Sequence, residues 1–167
     1  MMRDSGYARA WVFGDNIDTD LLAPGRFMHR PIEELAQNCL IDLSPEFAAK
    51  AGKGDVLIAG RNFGVGSSRE QAAQALKVRG LAGVVARSFA GIFYRNAINL
   101  GLPVLVGDAS DIIDGEWVSL DVERGFLEHQ DGRIALEQIP EFLMALIRDG
   151  GLVEHLENRF AKRGKLR

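Results

Sequence analysis

Short apolar strands alternate with helical segments between residues 55 and 106, and this alternation constrains the fold more than any other feature of the chain. Strands are predicted at 55–59, 83–87 and 103–106, with helical runs at 69–79 and 89–100 between them. Strand, helix and strand in this order and at this spacing favour parallel pairing with right-handed crossovers. The central part of the chain therefore predicts an α/β fold built on parallel βαβ units.

The flanking segments add strands of a different kind. Residues 8–13 are predicted to form a first strand, and the later candidate strands, with the pattern of antiparallel neighbours, are 117–122, 126–130 and 133–136. The last two are joined by a turn at Asp131-Gly132, which predicts a C-terminal antiparallel hairpin. The expected architecture is a mixed sheet with parallel and antiparallel parts.

Proline and serine mark the expected helix starts. Pro31 and Pro140 each suit the first position of a helix, and Ser44 suits the N-cap of a helix that begins at Pro45. Ser67 and Glu70 have the spacing of a capping box, which predicts that the helix after the glycine-rich loop starts at Ser67 or Ser68. Ser88 is predicted to cap the next helix.

Length and composition indicate one domain spanning residues 1–167, with residues 152–167 as a basic C-terminal helix or tail. The net charge of -3 does not indicate a nucleic-acid-binding protein. The sequence has no apolar run long enough to span a membrane and no N-terminal apolar core, so we expect a cytoplasmic protein. The single cysteine, Cys39, is expected in the core and cannot by itself supply an iron–sulfur or zinc–thiolate site.

The loop at residues 60–69 (GRNFGVGSSR) has the composition of an anion site. Its three glycines allow positive φ angles and close approach of the backbone, and two serines with Arg69 follow where a helix begins. Unpaired amide groups and the positive end of the helix dipole favour a carboxylate or a phosphate at such a place. Arg69 can hold a carboxylate through two parallel hydrogen bonds.

Known loop motifs do not fit this spacing. A Walker loop needs lysine after its last glycine, a dinucleotide fingerprint needs glycine at 69, and a nucleophile elbow needs glycine two residues beyond its serine. A non-catalytic module that binds anions or phosphate stays open as an alternative. The acidic run at residues 15–20 lacks the glycine and glutamate of a calcium loop, so no metal site is predicted in this chain.

Three motifs occur in order: DTD at 18–20 followed by PGR at 24–26, then GRNFGVGSSRE at 60–70, then SFAGIFYRN at 88–96. This set resembles the small subunits of 3-isopropylmalate dehydratase and its homoaconitase relatives, which correspond to the swivelling domain of aconitase. The resemblance covers nearly the whole chain. It implies a three-layer β/β/α fold and reversible removal and addition of water on a hydroxy di- or tricarboxylic acid, as in leucine biosynthesis.

The resemblance also implies roles and partners. Ser67 matches the serine that takes the proton from substrate carbon, Ser68 and Arg69 match residues that hold a substrate carboxylate, and Asp20 matches an acidic site residue that orients its neighbours. A [4Fe-4S] cluster is expected on a partner large subunit and none on this chain, so activity is expected only from the two subunits together.

The chain departs from the family pattern in the loop that sets substrate specificity. This loop is Phe27-Met28-His29-Arg30, without the usual tyrosine and with histidine where arginine is common. Met28 suits an isopropyl group, whereas His29 or Arg30 suits an additional carboxylate. Val65 and Gln71 also replace residues common in the family. The substrate therefore stays open between isopropylmalate, homoaconitate and another substituted malate, and a regulatory subunit is a further alternative.

Overall fold

The computed structural model describes residues 6–165 and, within them, seven strands and seven α-helices. The strands are β1 Ala8–Val12, β2 Val56–Ala59, β3 Gly83–Ala86, β4 Val104–Val106, β5 Trp117–Asp121, β6 Phe126–His129 and β7 Gly132–Ala135. The helices are α1 Thr19–Leu22, α2 Ile32–Gln37, α3 Pro45–Lys50, α4 Glu70–Val78, α5 Gly91–Asn99, α6 Glu141–Arg148 and α7 Leu152–Lys165.

The seven strands form one mixed sheet in the order β4-β3-β2-β1-β5-β6-β7. Strands β1 to β4 are parallel neighbours, whereas β5, β6 and β7 continue the sheet from β1 as antiparallel strands. The parallel βαβ units and the C-terminal antiparallel hairpin predicted from the sequence are both confirmed.

Two apolar cores separate the fold into three layers. Leu57 and Ala59 of β2 contribute to the core between the sheet and the helices, whereas Val56 and Ile58 contribute to a second core on the opposite face. Successive side chains of a strand point to opposite faces, so the parallel strands are covered on both sides. The second core contains Val118 of β5 and Leu127 of β6, which requires the antiparallel strands to curl over the parallel ones. This is the expected β/β/α arrangement.

Two predicted serine caps are wrong. Helix α4 begins at Glu70 with Arg69 at its N-cap position, and α5 begins at Gly91, in neither case with a capping side chain. The hydroxyl of Ser67 contacts a different helix, and that of Ser88 accepts a hydrogen bond from the amide of Asn62 at 2.9 Å. Tertiary partners therefore replace the local cap that the spacing suggested. The cap at Ser44 is confirmed, since its hydroxyl accepts from the amide of Phe47 at 3.1 Å.

Smaller differences concern the exact residues at which elements begin. Pro31 and Pro140 occupy N-cap positions, one residue before their helices start. The hairpin pairs His129 with Gly132, so its two loop residues are 130–131 and not the predicted Asp131-Gly132. Gly132 is the first paired residue of β7 and has a φ angle of 139°, a conformation that glycine adopts readily because it has no Cβ.

The basic C-terminal segment forms α7, which contacts α5 and α6 and has no fully buried residue. Its described basic side chains are Arg159, Lys162, Arg163 and Lys165, and they stand on the exposed surface of the helix. Arg167, the fifth basic residue of the predicted segment, and the N-terminal residues 1–5 lie outside the described part of the chain.

Cys39 lies in the turn after α2 and is fully buried, as expected. Burial raises the pKa of its thiol to about 12, with the nearby Arg79 guanidinium acting in the opposite direction. The thiolate is the reactive form of cysteine, so this thiol is held in its unreactive state at neutral pH.

We therefore expect Cys39 to resist alkylation by iodoacetamide at pH 8 in the folded chain. In urea the same residue should react with the stoichiometry and rate of an exposed thiol, because the burial that raises its pKa is lost. Mass spectrometry of intact protein across a urea titration measures both states. Fast, stoichiometric labelling of the native chain would contradict the burial described here.

Candidate active site at the carboxyl edge of the parallel strands

Three loops meet where the parallel strands β1, β2 and β3 end. We call residues 15–20 the acidic segment, residues 60–69 the serine loop and residues 87–90 the third loop; they follow β1, β2 and β3 respectively. The carboxyl ends of parallel strands lie at one edge of a sheet, which brings together three segments far apart in the sequence. These are the same three segments that carry the sequence motifs.

Side chains of the acidic segment hold the start of the serine loop. Asp15 Oδ1 accepts a hydrogen bond from the amide of Arg61 at 2.7 Å, and Asn62 Nδ2 donates to Asn16 Oδ1 at 3.1 Å. Gly60 permits this contact, because a Cβ there would lie 1.8 Å from Asp15 Oδ1. The two loops therefore form one hydrogen-bonded unit in which a larger side chain at 60 has no room.

The third loop supports the serine loop from the other side. The amide of Phe63 donates to the carbonyl of Ser88 at 3.1 Å, and the amide of Ala90 donates to the carbonyl of Phe63 at 2.9 Å. Gly64, at φ 81°, packs against the ring of Phe93, to which a Cβ at 64 would approach within 2.2 Å. The serine loop is thus fixed by backbone bonds and by an aromatic contact that excludes any side chain at 64.

Ser67 and Ser68 are exposed at the end of this supported loop. The Oγ atom of Ser67 lies 3.2 Å from Oγ1 of Thr19, a buried residue at the start of α1. The two hydroxyls of the turn are therefore accessible from outside the domain. Thr19 belongs to the DTD motif, but sequence reasoning assigned it no role, because nothing in a local pattern predicts a contact with Ser67.

Arg69 and Asp20 form an ion pair beside the serines. The Arg69 side chain is half-buried, whereas the Asp20 side chain is 73% exposed. The same Nη1 atom also donates to the carbonyl of Ala23 at 3.1 Å. Both of these contacts use Nη1, and a guanidinium can hold a carboxylate through its remaining N–H groups. The structure therefore brings Ser67, Ser68, Arg69 and Asp20 into one neighbourhood.

The loop at residues 27–30 divides into two parts. Phe27 and Met28 are half-buried and pack against the core on the helix side, whereas His29 and Arg30 are exposed. Arg30 Nε lies 3.9 Å from a Glu34 carboxylate oxygen, one helical turn away. Among the described residues, no hydrogen bond joins this loop to the serine loop, and substrate binding by these four residues stays a prediction.

Arg26 anchors the same loop from its beginning. Its guanidinium makes a two-bond pair with the carboxylate of Asp42, both at 2.7 Å, and this pairing lowers the pKa of Asp42. The fork geometry of the pair sets the position of the chain just before Phe27. His29 and Arg30, the exposed residues of the loop, therefore follow a segment that this ion pair holds in position.

Within residues 6–165, no group of three or more histidine, cysteine, aspartate or glutamate side chains is arranged to hold a metal ion. The helices of that range include none with the length and hydropathy needed to cross a bilayer.

The three-layer fold with an open serine–arginine loop at the edge of its parallel strands defines a domain of the aconitase swivel class. Residues 32–107 match the family described as the Aconitase C-terminal domain. The chain is 49% identical over 158 residues to 3-isopropylmalate dehydratase small subunit 1 of Methanopyrus kandleri, an alignment that covers 92% of this chain and 93% of that one. It belongs to the 3-isopropylmalate dehydratase small-subunit family.

Two further comparisons bear on the breadth of that family. The homoaconitase small subunit of Methanothermobacter thermautotrophicus is 45% identical over 150 residues, with 88% of each chain covered. A crystal structure of 3-isopropylmalate dehydratase from Methanocaldococcus jannaschii superposes with a TM-score of 0.92 at 38% identity, covering 97% of this chain and 99% of that one. The resemblance inferred from the three motifs and the expected fold are confirmed.

Proposed function

We propose that this chain is the small subunit of a hydro-lyase that interconverts 2-isopropylmalate and 3-isopropylmalate through dehydration and rehydration. The observation that carries the proposal is that Ser67 and the Arg69–Asp20 pair lie together on an exposed edge. They do so in a chain that aligns over 92% of its length with a dehydratase small subunit. An exposed site is what a shared active centre requires, because a second subunit must cover it.

Ser67 acts as the base in this proposal. As an alkoxide, its Oγ takes a proton from the substrate carbon next to a carboxylate, and the electron pair of that C–H bond forms the double bond as the hydroxyl leaves the neighbouring carbon. In rehydration the Ser67 hydroxyl gives its proton to one carbon of the double bond while the hydroxyl group adds to the other, and isomerisation results when the proton goes to the carbon that lost the hydroxyl. The turn places Ser67 directly before Ser68 and Arg69, so the base and the carboxylate contacts share one rigid segment.

Arg69 holds the substrate carboxylate on which negative charge develops during proton removal. A guanidinium aimed at developing charge in a site closed to water stabilises the transition state. Asp20 keeps Arg69 oriented through Nη1, so that the opposite edge faces the substrate. Ser68, exposed beside it, adds a hydroxyl contact to the same carboxylate.

The [4Fe-4S] cluster belongs to the large subunit in this proposal, where it supplies the Lewis acid for the substrate hydroxyl. The residues of this chain do not fit such a cluster, because its single cysteine is buried in the core. We further propose that the whole chain works as one domain and that the assembled enzyme is cytoplasmic.

The direct test compares this chain alone with the chain reconstituted with a cluster-bearing large subunit, using 3-isopropylmalate as substrate. We expect turnover only from the pair. Substantial turnover by the isolated chain would refute a shared active centre, and tight binding of nucleotides in calorimetry would favour a phosphate-binding module.

Substrate choice is expected to depend on His29 and Arg30. Replacing both by alanine should lower kcat/KM for homoaconitate relative to isopropylmalate by about tenfold, because a charged contact to the additional carboxylate is lost. Both side chains are exposed, so the free energy of unfolding should change by less than about 1 kcal/mol. A side-by-side assay with isopropylmalate, homoaconitate and dimethylmalate measures the effect.

Arg159→Ala, which removes an exposed arginine from α7, controls for the general loss of positive charge. It should leave the substrate ratio unchanged. Equal losses on all three substrates, together with a lower Tm in the double variant, would mean that the loop serves stability and not specificity.

A further inference from the structure

The hydroxyl of Thr19 is a buried polar group that the mechanism above does not use. Thr19 is 2% exposed and is the single threonine of the chain. Its Oγ1 lies 3.2 Å from Ser67 Oγ, which is the hydrogen-bond partner described for this side chain. Buried hydroxyl groups need a partner, so this contact is built into the fold and is not a chance approach of two surface groups.

The backbone around Thr19 fixes the direction of its hydroxyl. Asp18 caps α1 by accepting from the amide of Leu21 at 2.8 Å, and the amide of Thr19 donates to the carbonyl of Val65 at 2.9 Å. Threonine is branched at Cβ, which restricts rotation about χ1. The Oγ1 atom therefore points from a fixed backbone toward the serine loop.

Gly66 makes the contact possible from the other side. It has φ 116°, and a Cβ at this position would lie 2.9 Å from Thr19 Oγ1. Without a side chain at 66, the serine loop approaches α1 closely enough for the two hydroxyls to meet. Three features therefore support the hydrogen bond between Thr19 and Ser67: the burial of Thr19, the backbone bond from Thr19 to Val65 and the positive φ angle of Gly66.

We propose that Thr19 is a positioning residue that holds Ser67 in the orientation of a base and donates a hydrogen bond to its Oγ. This inference rests on the proposed function of Ser67. An alkoxide can only accept hydrogen bonds, so the proton shared by the two hydroxyls must belong to Thr19 when Ser67 is ionised. Such a bond to a charged oxygen is stronger than one between neutral groups, and it therefore favours the ionised form.

The test compares Thr19→Val, which keeps the shape and removes the donor, with Thr19→Ser, which keeps the donor. In the reconstituted enzyme we expect Thr19→Val to lower kcat by about 30-fold, the factor for one lost hydrogen bond to a charged group. KM should change little, because Thr19 does not touch the substrate. Thr19→Ser should restore most of the rate.

The pH dependence separates positioning from mere stability. Loss of the donor makes the Ser67 alkoxide harder to form, so the rise of kcat/KM with pH should move to higher pH in Thr19→Val and stay in place in Thr19→Ser. An unshifted profile with an unchanged kcat in Thr19→Val would overturn the proposal. So would a rate loss that Thr19→Ser does not restore.

Spectroscopy adds a measurement that needs no activity. Labelling with methyl-¹³C threonine gives one signal, because the chain has one threonine. We expect this signal to shift in Ser67→Ala and to stay in place in the remote variant Ser44→Ala. An unmoved signal in Ser67→Ala would contradict the contact between Thr19 and Ser67.

The activity assay separates the two proposals. Full activity of Ser67→Ala would overturn the function proposed for Ser67. A slow Ser67→Ala variant together with a fully active Thr19→Val variant would overturn only the role of Thr19.

Discussion

Ser67→Ala is expected to lower kcat of the reconstituted enzyme by at least about 100-fold, the contribution of a positioned acid–base group. The alanine variant removes the atom that accepts the proton from carbon and leaves the Arg69–Asp20 pair in place. Substrate should therefore still bind, so KM is expected to change less than kcat. Steady-state kinetics of the reconstituted pair, with 3-isopropylmalate and with the dehydrated intermediate as substrates, measures both quantities.

Ser44→Ala is the matched control for this prediction. Its hydroxyl caps α3 by accepting from the amide of Phe47, away from the serine loop. The control should cost about 1 kcal/mol of stability, as loss of an N-cap does, with kcat unchanged. If Ser67→Ala and Ser44→Ala slowed the enzyme equally, Ser67 would have no chemical role, and a regulatory subunit would become the better interpretation.

Gly64→Ala is expected to lower the free energy of unfolding by about 3 kcal/mol or more, the combined cost of strain and overpacking. Gly64 has φ 81°, and an added Cβ would lie 2.2 Å from the ring of Phe93. The loop would have to move away from α5 and take the serines with it. Urea denaturation followed by circular dichroism measures the stability, and the reconstitution assay measures the accompanying loss of turnover.

Gly91→Ala is the corresponding control in the neighbouring helix. Gly91 is the first residue of α5, and a Cβ added there meets no atom within 4 Å. Alanine favours helix over glycine, so stability should stay the same or rise by up to about 1 kcal/mol. If both variants had the same stability as the natural chain, the serine loop would not be held by the contact between Gly64 and Phe93.

The mixed sheet with its parallel βαβ units is predictable from local signals, whereas the β/β/α layering is implied by the family resemblance. Strand β2 reads VLIA and is buried on both faces, which is typical of a central parallel strand. The hairpin between β6 and β7 was also predictable from alternating residues around a turn. Its loop was misplaced by one residue, because Gly132 belongs to the strand and not to the turn.

The helix starts at Ser67 and Ser88 were predicted wrongly for one shared reason. A capping pattern considers only what a serine can bind within its own next turn. In the fold, Ser88 Oγ binds the amide of Asn62, 26 residues earlier, and Ser67 contacts Thr19 across 48 residues. Both serines have the spacing of a helix cap, but their hydroxyls instead make hydrogen bonds to segments far away in the sequence.

The sequence by itself determined the order of strands and helices, the parallel βαβ units and the three motifs that identify the family. These properties follow from hydrophobic patterning and from residue types at short spacing. Only the tertiary structure decided that Thr19 meets Ser67, that Asp20 pairs with Arg69 and that both serines are exposed. The physical reason is that such contacts depend on parallel strands ending at a common edge, which joins residues that no local pattern relates.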